Sequence, residues 1–265
     1  MRSGPATPRA SLVLAPNPSP MTLDGTNTWV LAEPGSSRAA VVDPGPLDEG
    51  HLAAVLARVE EIGARVDIIL LTHGHPDHAE AARHFARLAQ APVLALDPQY
   101  RLGSEGMADG DVVEVGALEI RVVATAGHTA DSLSFLLPAD NALLTGDTVL
   151  GAGTTVVAWP DGQLADYLDT LRRLRGMADE GEIGVILPGH GPVVQQPGDV
   201  IAYYLTHRAE RLKQVEAARA AGDRTAPQIV RRVYANVDPA LWPAAELSVL
   251  AQLEYLDQAL KNGGG

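Results

Sequence analysis

The sequence predicts an α/β fold in which β-sheets are covered by helices on their outer faces, with an all-helical segment closing the chain. Three observations carry that prediction. Short apolar runs of strand type recur between residues 26 and 189, some joined by tight turns and others separated by stretches of helical periodicity. From Val200 onward the apolar spacing is helical throughout. Four of the strand-type runs also end, after one or two small residues, in a His or an Asp.

Taken in order, residues 1–20 carry five prolines and read as an irregular lead. TNTWVLAEPG (26–35) and RAAVVDPG (38–45) read as two strands around a Gly-Ser turn. LDEGHLAAVLARVEEIG (47–63) has apolar residues at helical spacing, and VDIILL (66–71) is a short strand of the buried type. PDHAEAARHFARLAQ (76–90) predicts one helix with Pro76 in its first turn. APVLAL, DVVEVGALEIRVVATAG, LSFLLPADNALLTGD and GVILPG supply further strands, and QLADYLDTLRRLRG is a helix between the last two. The tail gives three helices, at 200–222, 225–237 and 243–260. The expected division is a body of residues 1–199 and a helical appendage of residues 200–265, parting near Pro197 to Asp199.

Composition narrows the chemistry. The chain has no cysteine, which excludes disulfides, thiolate metal sites and a cysteine nucleophile, so any metal must be held by nitrogen and oxygen. A net charge of −13 argues against a surface that coats nucleic acid. That charge is uneven: from Ile201 onward eight Lys and Arg face seven Asp and Glu, so the acidity lies in the body, which leaves room for an anionic substrate at one edge. The start has no apolar stretch of signal-peptide length and no window reaches the 18 apolar residues of a membrane span. The expectation is a soluble cytoplasmic protein with no membrane partner.

The chemistry concentrates in HGHPDH (73–78), which holds three of the eight histidines. Pro76 forbids a helix running through the motif, so a strand end must pass there into a helix. His73 and His75 then project to one side, while Asp77 and His78 point back over the same rim. His128 after RVVATAG, Asp147 after NALLTG and His190 after GVILPG follow the same strand-end pattern, and each is preceded by a glycine, Gly127, Gly146 or Gly189. If these strands are neighbours in packed sheets, seven N/O ligands meet. That is too many for one tetrahedral zinc but suits two metals: His73, His75 and His128 for one, Asp77, His78 and His190 for the other, with Asp147 bridging.

THGHPDH, TAGHT, TGDT and PGHG, in this order and at these intervals, resemble the metallo-β-lactamase superfamily over roughly residues 20–200. The resemblance implies an αββα sandwich, the same seven ligands, two Zn2+ with Mn2+ or Fe2+ as alternatives, and Asp43 of VVDPG near the metals. GTNTW (25–29), TVLGAGTTVV (148–157) and YYLTHRAERLKQ (203–214), with a winged-helix-like helical end, are similar to the β-lactamase-like protein 2 group. The studied members of that group cleave single-stranded RNA. The chain departs from the pattern at Ser132, where many relatives have a histidine or an Asp-His pair, and at DQALKNGGG, too short for both strands of a wing.

The resemblance implies a dinuclear-metal-activated hydroxide attacking a phosphodiester or an acyl carbon. Asp77 would orient that hydroxide, and His190 or a metal-held water would assist the leaving group. Single-stranded RNA is the expected substrate, with a glyoxalase II-like thioesterase as the alternative and a small anionic substrate or a homodimer as further partners. A nucleic-acid-binding protein with a vestigial metal site is the alternative of another class, and the intact set of seven argues against it. Tyr204, His207, Arg208 and Arg211 share one helix face. They read either as an anion-binding edge, with His207, Arg208 and Arg211 contacting substrate, or as a solvated face paired with Glu210 and Glu216. His51, His84, Arg231 and Arg232 read as surface residues, and residues 149–155 as a loop beside the metals or a tight turn.

Overall fold

The structure, a computed structural model, describes residues 3–104 and 106–263. Six strands form a first sheet in chain order: β1 (Ser3–Pro5), β2 (Ala10–Leu14), β3 (Asn27–Leu31), β4 (Arg38–Val42), β5 (Arg65–Leu70) and β6 (Val93–Leu94). A second sheet holds β7 (Val112–Val115), β8 (Leu118–Ala124), β9 (Leu133–Leu137), β10 (Ala142–Gly146) and β11 (Val185–Pro188), in the order β11-β10-β9-β8-β7. Side-chain alternation along each strand decides what lies between them. Ala40 and Val42 of β4 face inward onto Leu133, Phe135 and Leu137 of β9 in a shared core, together with Trp29 and Ile120.

The opposite faces carry the helices. Ala39 and Val41 pack outward, with Leu52, Val55 and Val59 of α1 (Glu49–Glu61) and Phe85 of α3 (Ala82–Ala89). On the other side Leu136, Leu143 and Ile186 meet Leu168 and Leu171 of α4 (Leu164–Asp179) and Ile201 and Tyr204 of α5 (Pro197–Ala220). This is the αββα sandwich that the sequence predicts. The helices α6 (Ala226–Val233) and α7 (Trp242–Gly263) close a fourth core with the C-terminal half of α5, through Val215, Ile229, Val230 and Val249. No strand lies in 197–263 among the described residues, so this module has its helices and no wing. No described helix is long and apolar enough to cross a membrane.

Two expectations about local structure are corrected. The lead at 1–20 is not irregular: β2 pairs antiparallel with β3, from Ala10 opposite Leu31 to Leu14 opposite Asn27, which buries Ala10 and Val13. Pro5 ends the edge strand β1, where no ladder donor is needed, and Pro8 lies in the turn that follows. The helix expected at 76–90 is two helices, α2 (Pro76–Ala79) and α3. It breaks because the Ala81 N–H donates to Gly45 O, 3.1 Å away, instead of continuing the helical ladder.

Strand direction positions the site. β4, β5 and β6 are mutually parallel, and β8, β10 and β11 run in one direction because β9 is antiparallel to both its neighbours and β10 pairs parallel with β11. The C-terminal ends of β4, β5, β8, β10 and β11 are followed by Asp43, His73, His128, Asp147 and His190, so all five residues emerge at one rim of the sandwich.

Candidate metal centre

At that rim the seven side chains fall into two groups that could hold metal ions, His73, His75, His128 and Asp147 in one and Asp77, His78 and His190 in the other, with ligand atoms in each group within 4.8 Å of one another. His75 Nδ1 lies 3.1 Å from both His73 Nε2 and His128 Nε2. His78 Nε2 and His190 Nε2 are 3.3 Å apart. Asp147 reaches both groups: Oδ1 is 3.4 Å from His78 Nε2 and 3.3 Å from His190 Nε2, while Oδ2 is 3.6 Å from His128 Nε2.

The rings are oriented from behind. His128 Nδ1–H donates to Val156 O at 2.7 Å and His190 Nδ1–H to Gly25 O at 3.1 Å. Asp43 Oδ2 lies 2.8 Å from His78 Nδ1 and accepts from Thr72 Oγ1 at 2.6 Å, which leaves Thr72 Oγ1 as acceptor for His73 Nδ1 at 3.0 Å. These acceptors fix the Nδ1–H tautomer in four rings, so four Nε2 lone pairs converge on the site. Lone pairs at such separations repel unless a cation lies among them, and Asp147 Oδ1 is buried with no hydrogen-bond partner. Both observations fit a donor set built for metal.

In the metal-free protein, protons must serve in its place. Burial pushes the His78 imidazole down, but Asp147 and Asp43 outweigh it and hold His78 well above the usual range. His190 is likewise pushed down by burial yet raised to about 9 by the carboxylates of Asp147 and Asp77 beside it. Burial alone would raise Asp77, whereas His190 and His78 bring it to about 2. His73 and His128 go the other way, lowered mainly by burial.

The glycines before the ligands are required sterically. At Gly189 a Cβ would sit 2.7 Å from Asp147 Oδ1, and at Gly127, with φ +136°, 2.3 Å from Tyr167 Cα.

GTNTW is a cross-sheet clamp, a role the sequence did not disclose. Gly25 O holds His190, and Thr26 Oγ1 is 3.2 Å from Asp77 Oδ2. The Asn27 amide donates to Pro188 O and Gly191 O, Thr28 Oγ1 donates to Asp43 O, and Trp29 Nε1 donates to Pro188 O. Three consecutive buried polar residues, Thr-Asn-Thr, are the one signal that could have pointed to it. The 149–155 segment is a loop beside the ligands, with Thr155 Oγ1 donating to Asp147 O.

His51, expected at the surface, is fully buried, because α1 packs onto the β3 and β4 ends, where His51 Nε2 meets Thr28 Oγ1 at 2.8 Å. Burial lowers it to about 4. His84 pairs with Glu49, Arg231 and Arg232 are exposed, and Ser132 bonds Thr129 Oγ1 at 2.7 Å. The solvated-face alternative for α5 fails: Tyr204 and Arg208 are buried, Tyr204 OH accepts from Leu150 N, and Arg208 donates to Thr155 O and lies over the Tyr167 ring.

A narrow cavity of about 130 Å³ opens on His128 and Asp147, between Pro20, Met21, Leu23, Leu150 and Val156. It shares Pro20, Met21 and residues 154–156 with a second cavity of about 250 Å³ bounded by α5 and α7.

Residues 21–190, which contain all seven side chains, match the family model described as the metallo-beta-lactamase superfamily, and residues 225–259 match that of the beta-lactamase associated winged helix domain. The chain is 31% identical over 264 residues to the beta-lactamase-like protein 2 homolog of Drosophila melanogaster, with 93% of this chain and 87% of that protein covered. It is 32% identical over 213 residues to the atrochrysone carboxyl ACP thioesterase of Aspergillus fumigatus, with 79% and 64% covered. A solved metallo-beta-lactamase family protein of Thermus thermophilus superposes with a TM-score of 0.79 at 23% identity, covering 95% of this chain and 94% of that one, a likeness of fold.

Proposed function

The chain belongs to the metallo-β-lactamase superfamily, and on that premise we propose that it is a metal-dependent hydrolase acting on acyl thioesters. His73, His75 and His128 would hold one metal and Asp77, His78 and His190 the other, with Asp147 facing both groups. An all-N/O set rich in imidazole suits two Zn2+, with Mn2+ or Fe2+ as alternatives. When bound, such a pair supplies a water-derived nucleophile near neutral pH and Lewis-acid polarisation of the carbonyl.

The remaining work falls to the chain. Asp77, which burial would raise but His190 and His78 hold below the usual carboxylate range, would orient the attacking water, and Thr26 Oγ1 lies 3.2 Å from its Oδ2. With Nε2 as a ligand, the one N–H of His190 is on Nδ1 and donates to Gly25 O, away from the reacting centre, so protonation of the leaving group does not rely on His190. A thiolate needs no proton, since thiols ionise near pH 8.5.

The observation that supports a thioester is the apolar cavity at His128 and Asp147. Single-stranded RNA needs stacking aromatics along a cationic track. No Phe, Tyr or Trp lines the cavity at His128 and Asp147 among the described residues, and Tyr234, which lines the larger one, is already covered by Arg211 at 4.5 Å. Assaying the zinc-loaded protein against a short acyl thioester, single-stranded RNA and a β-lactam side by side tests this, with the thioester expected to give the highest kcat/KM. RNA cleavage without thioester turnover would replace the reading with the endoribonuclease one.

Two further results are expected. Because His190, raised to about 9 by Asp147 and Asp77 against its burial, carries a proton at pH 7 in the metal-free protein, metal uptake must release protons, and affinity must fall as pH falls. Calorimetric titration with Zn2+ in buffers of different ionisation enthalpy reads the release directly, and zero net release at pH 7 would contradict it. Asp43→Asn keeps the residue's φ of +52°, which Asn tolerates, but removes the charge behind His78. Zinc affinity should drop about 10–100-fold in competition with a chromophoric chelator, with folding retained.

A further inference from the structure

The cavity between the 154–156 loop and helices α5 and α7 has a lining of unusual charge for this chain. Although 33 of its residues are Asp or Glu, no carboxylate lines this cavity, whereas His207, Arg208 and Arg211 all do. Arg208 is 5% exposed and has no carboxylate within ion-pair distance among the described residues. Its Nη2 donates to Thr155 O and its Cζ lies 5.2 Å from the Tyr167 ring centroid, while Nε has no hydrogen-bond partner among the described residues. His207 Nδ1 is also buried without a partner. Burial, with Arg208 and Arg211 beside it, lowers His207 to about 4, so at neutral pH it is an uncharged hydrogen-bonding group. Arg211 is held by Val233 O and Gln214 and adds a second positive charge that pairs with no carboxylate among the described residues.

A buried cation that lacks a counter-ion is costly, and carbonyl oxygens and a ring face offset only part of that cost. The missing partner is an anion, and the cavity gives it room. The rest of its wall is mostly apolar, with Met21, Val237, Leu241 and Ala244 beside the hydroxyls of Thr154 and Ser248, and it shares Pro20, Met21 and residues 154–156 with the smaller cavity that opens on His128 and Asp147.

We propose that this cavity is an anion subsite, in which Arg208, Arg211 and His207 receive a carboxylate or phosphate at the far end of the substrate from the bond that is cut. The inference rests on the thioesterase reading for the identity of that bond. It makes the substrate an acyl thioester with an anionic terminus, either a carboxylate on the acyl chain or a phosphate on the thiol side. Arg208 also connects the subsite to the metal rim, since Thr155, which it holds through the carbonyl, binds Asp147 O through its hydroxyl.

The test uses the zinc-loaded full chain and two matched pairs of probes, monomethyl glutarate against dimethyl glutarate for the carboxylate source and butyl phosphate against butanol for the phosphate source. Calorimetry should show at least one anionic probe binding about tenfold or more tighter than its neutral partner, with the difference lost in Arg211→Gln and in Arg208→Gln. The pair that shows the difference identifies the source. An equal response to charged and neutral probes, or anion binding that persists in both variants and therefore belongs to the metals, overturns the proposal. Arg208→Gln removes a buried contact and is read only if its thermal melt matches that of the parent; Arg211→Gln and the probe pairs decide the matter without it. Charge-dependent binding in a protein that hydrolyses no thioester keeps the subsite and discards the thioesterase reading, while thioester hydrolysis indifferent to a terminal charge does the reverse.

Discussion

Asp147→Ala should reduce the metal content from close to two per chain to about one and lower hydrolysis by about a thousandfold or more. Asp147 is the one side chain of the seven whose oxygens face both groups, Oδ1 toward His78 and His190 and Oδ2 toward His128. Removing it leaves His78 Nε2 and His190 Nε2 3.3 Å apart with Asp77 Oδ2 as their remaining shared anion, at 3.4 and 3.2 Å, and leaves the His73, His75 and His128 group with no carboxylate. The fold should survive, because the lost contacts are with other ligands at the rim and the sandwich core does not include this side chain. Elemental analysis together with kcat/KM decides the point, and a variant that keeps two metals and a rate within about tenfold of the parent would remove Asp147 from the bridging position.

The second large effect is on stability. Gly127→Ala should cost about 3–5 kcal/mol, the sum of overpacking and of a backbone conformation that side chains resist. Its φ is +136°, and the new Cβ would lie 2.3 Å from Tyr167 Cα and 2.5 Å from Tyr167 N, which are helix backbone atoms that cannot rotate away. Gly153 is the control, since it has φ +72° but open space where a Cβ would go, so Gly153→Ala should cost only about 1 kcal/mol. Urea denaturation of the two variants separates contact from conformation, and equal, mild losses would show that α4 does not press on the His128 turn as described.

The metal rim was legible in the sequence for a physical reason. Four of the seven candidate ligands sit just past an apolar run, and an apolar run of strand length ends where the chain leaves the core, so residue type and position together placed His73, His128, Asp147 and His190 at strand ends. The glycines before three of them marked the same turns. The strand at Ala10–Leu14 was missed because the prolines around it outweighed a five-residue apolar run, and only pairing with β3 shows that they fall at the strand's margins.

What the sequence determined by itself was therefore the set of side chains able to bind metal, the alternation that makes a two-sheet core, and the helical character of the tail, all consequences of local period and residue chemistry. Tertiary structure alone decided what each face meets. Periodicity put Tyr204, His207, Arg208 and Arg211 on one side of α5, but packing against α4 and the 149–156 loop turned Tyr204 and Arg208 inward. The same holds for His51, buried beneath the Asp43 turn, and for GTNTW, whose partners lie more than 150 residues away at Pro188 and His190. A helix or strand pattern fixes which residues share a face, whereas the neighbour of that face is set by contacts between distant segments, which the spacing of residues along the chain does not encode.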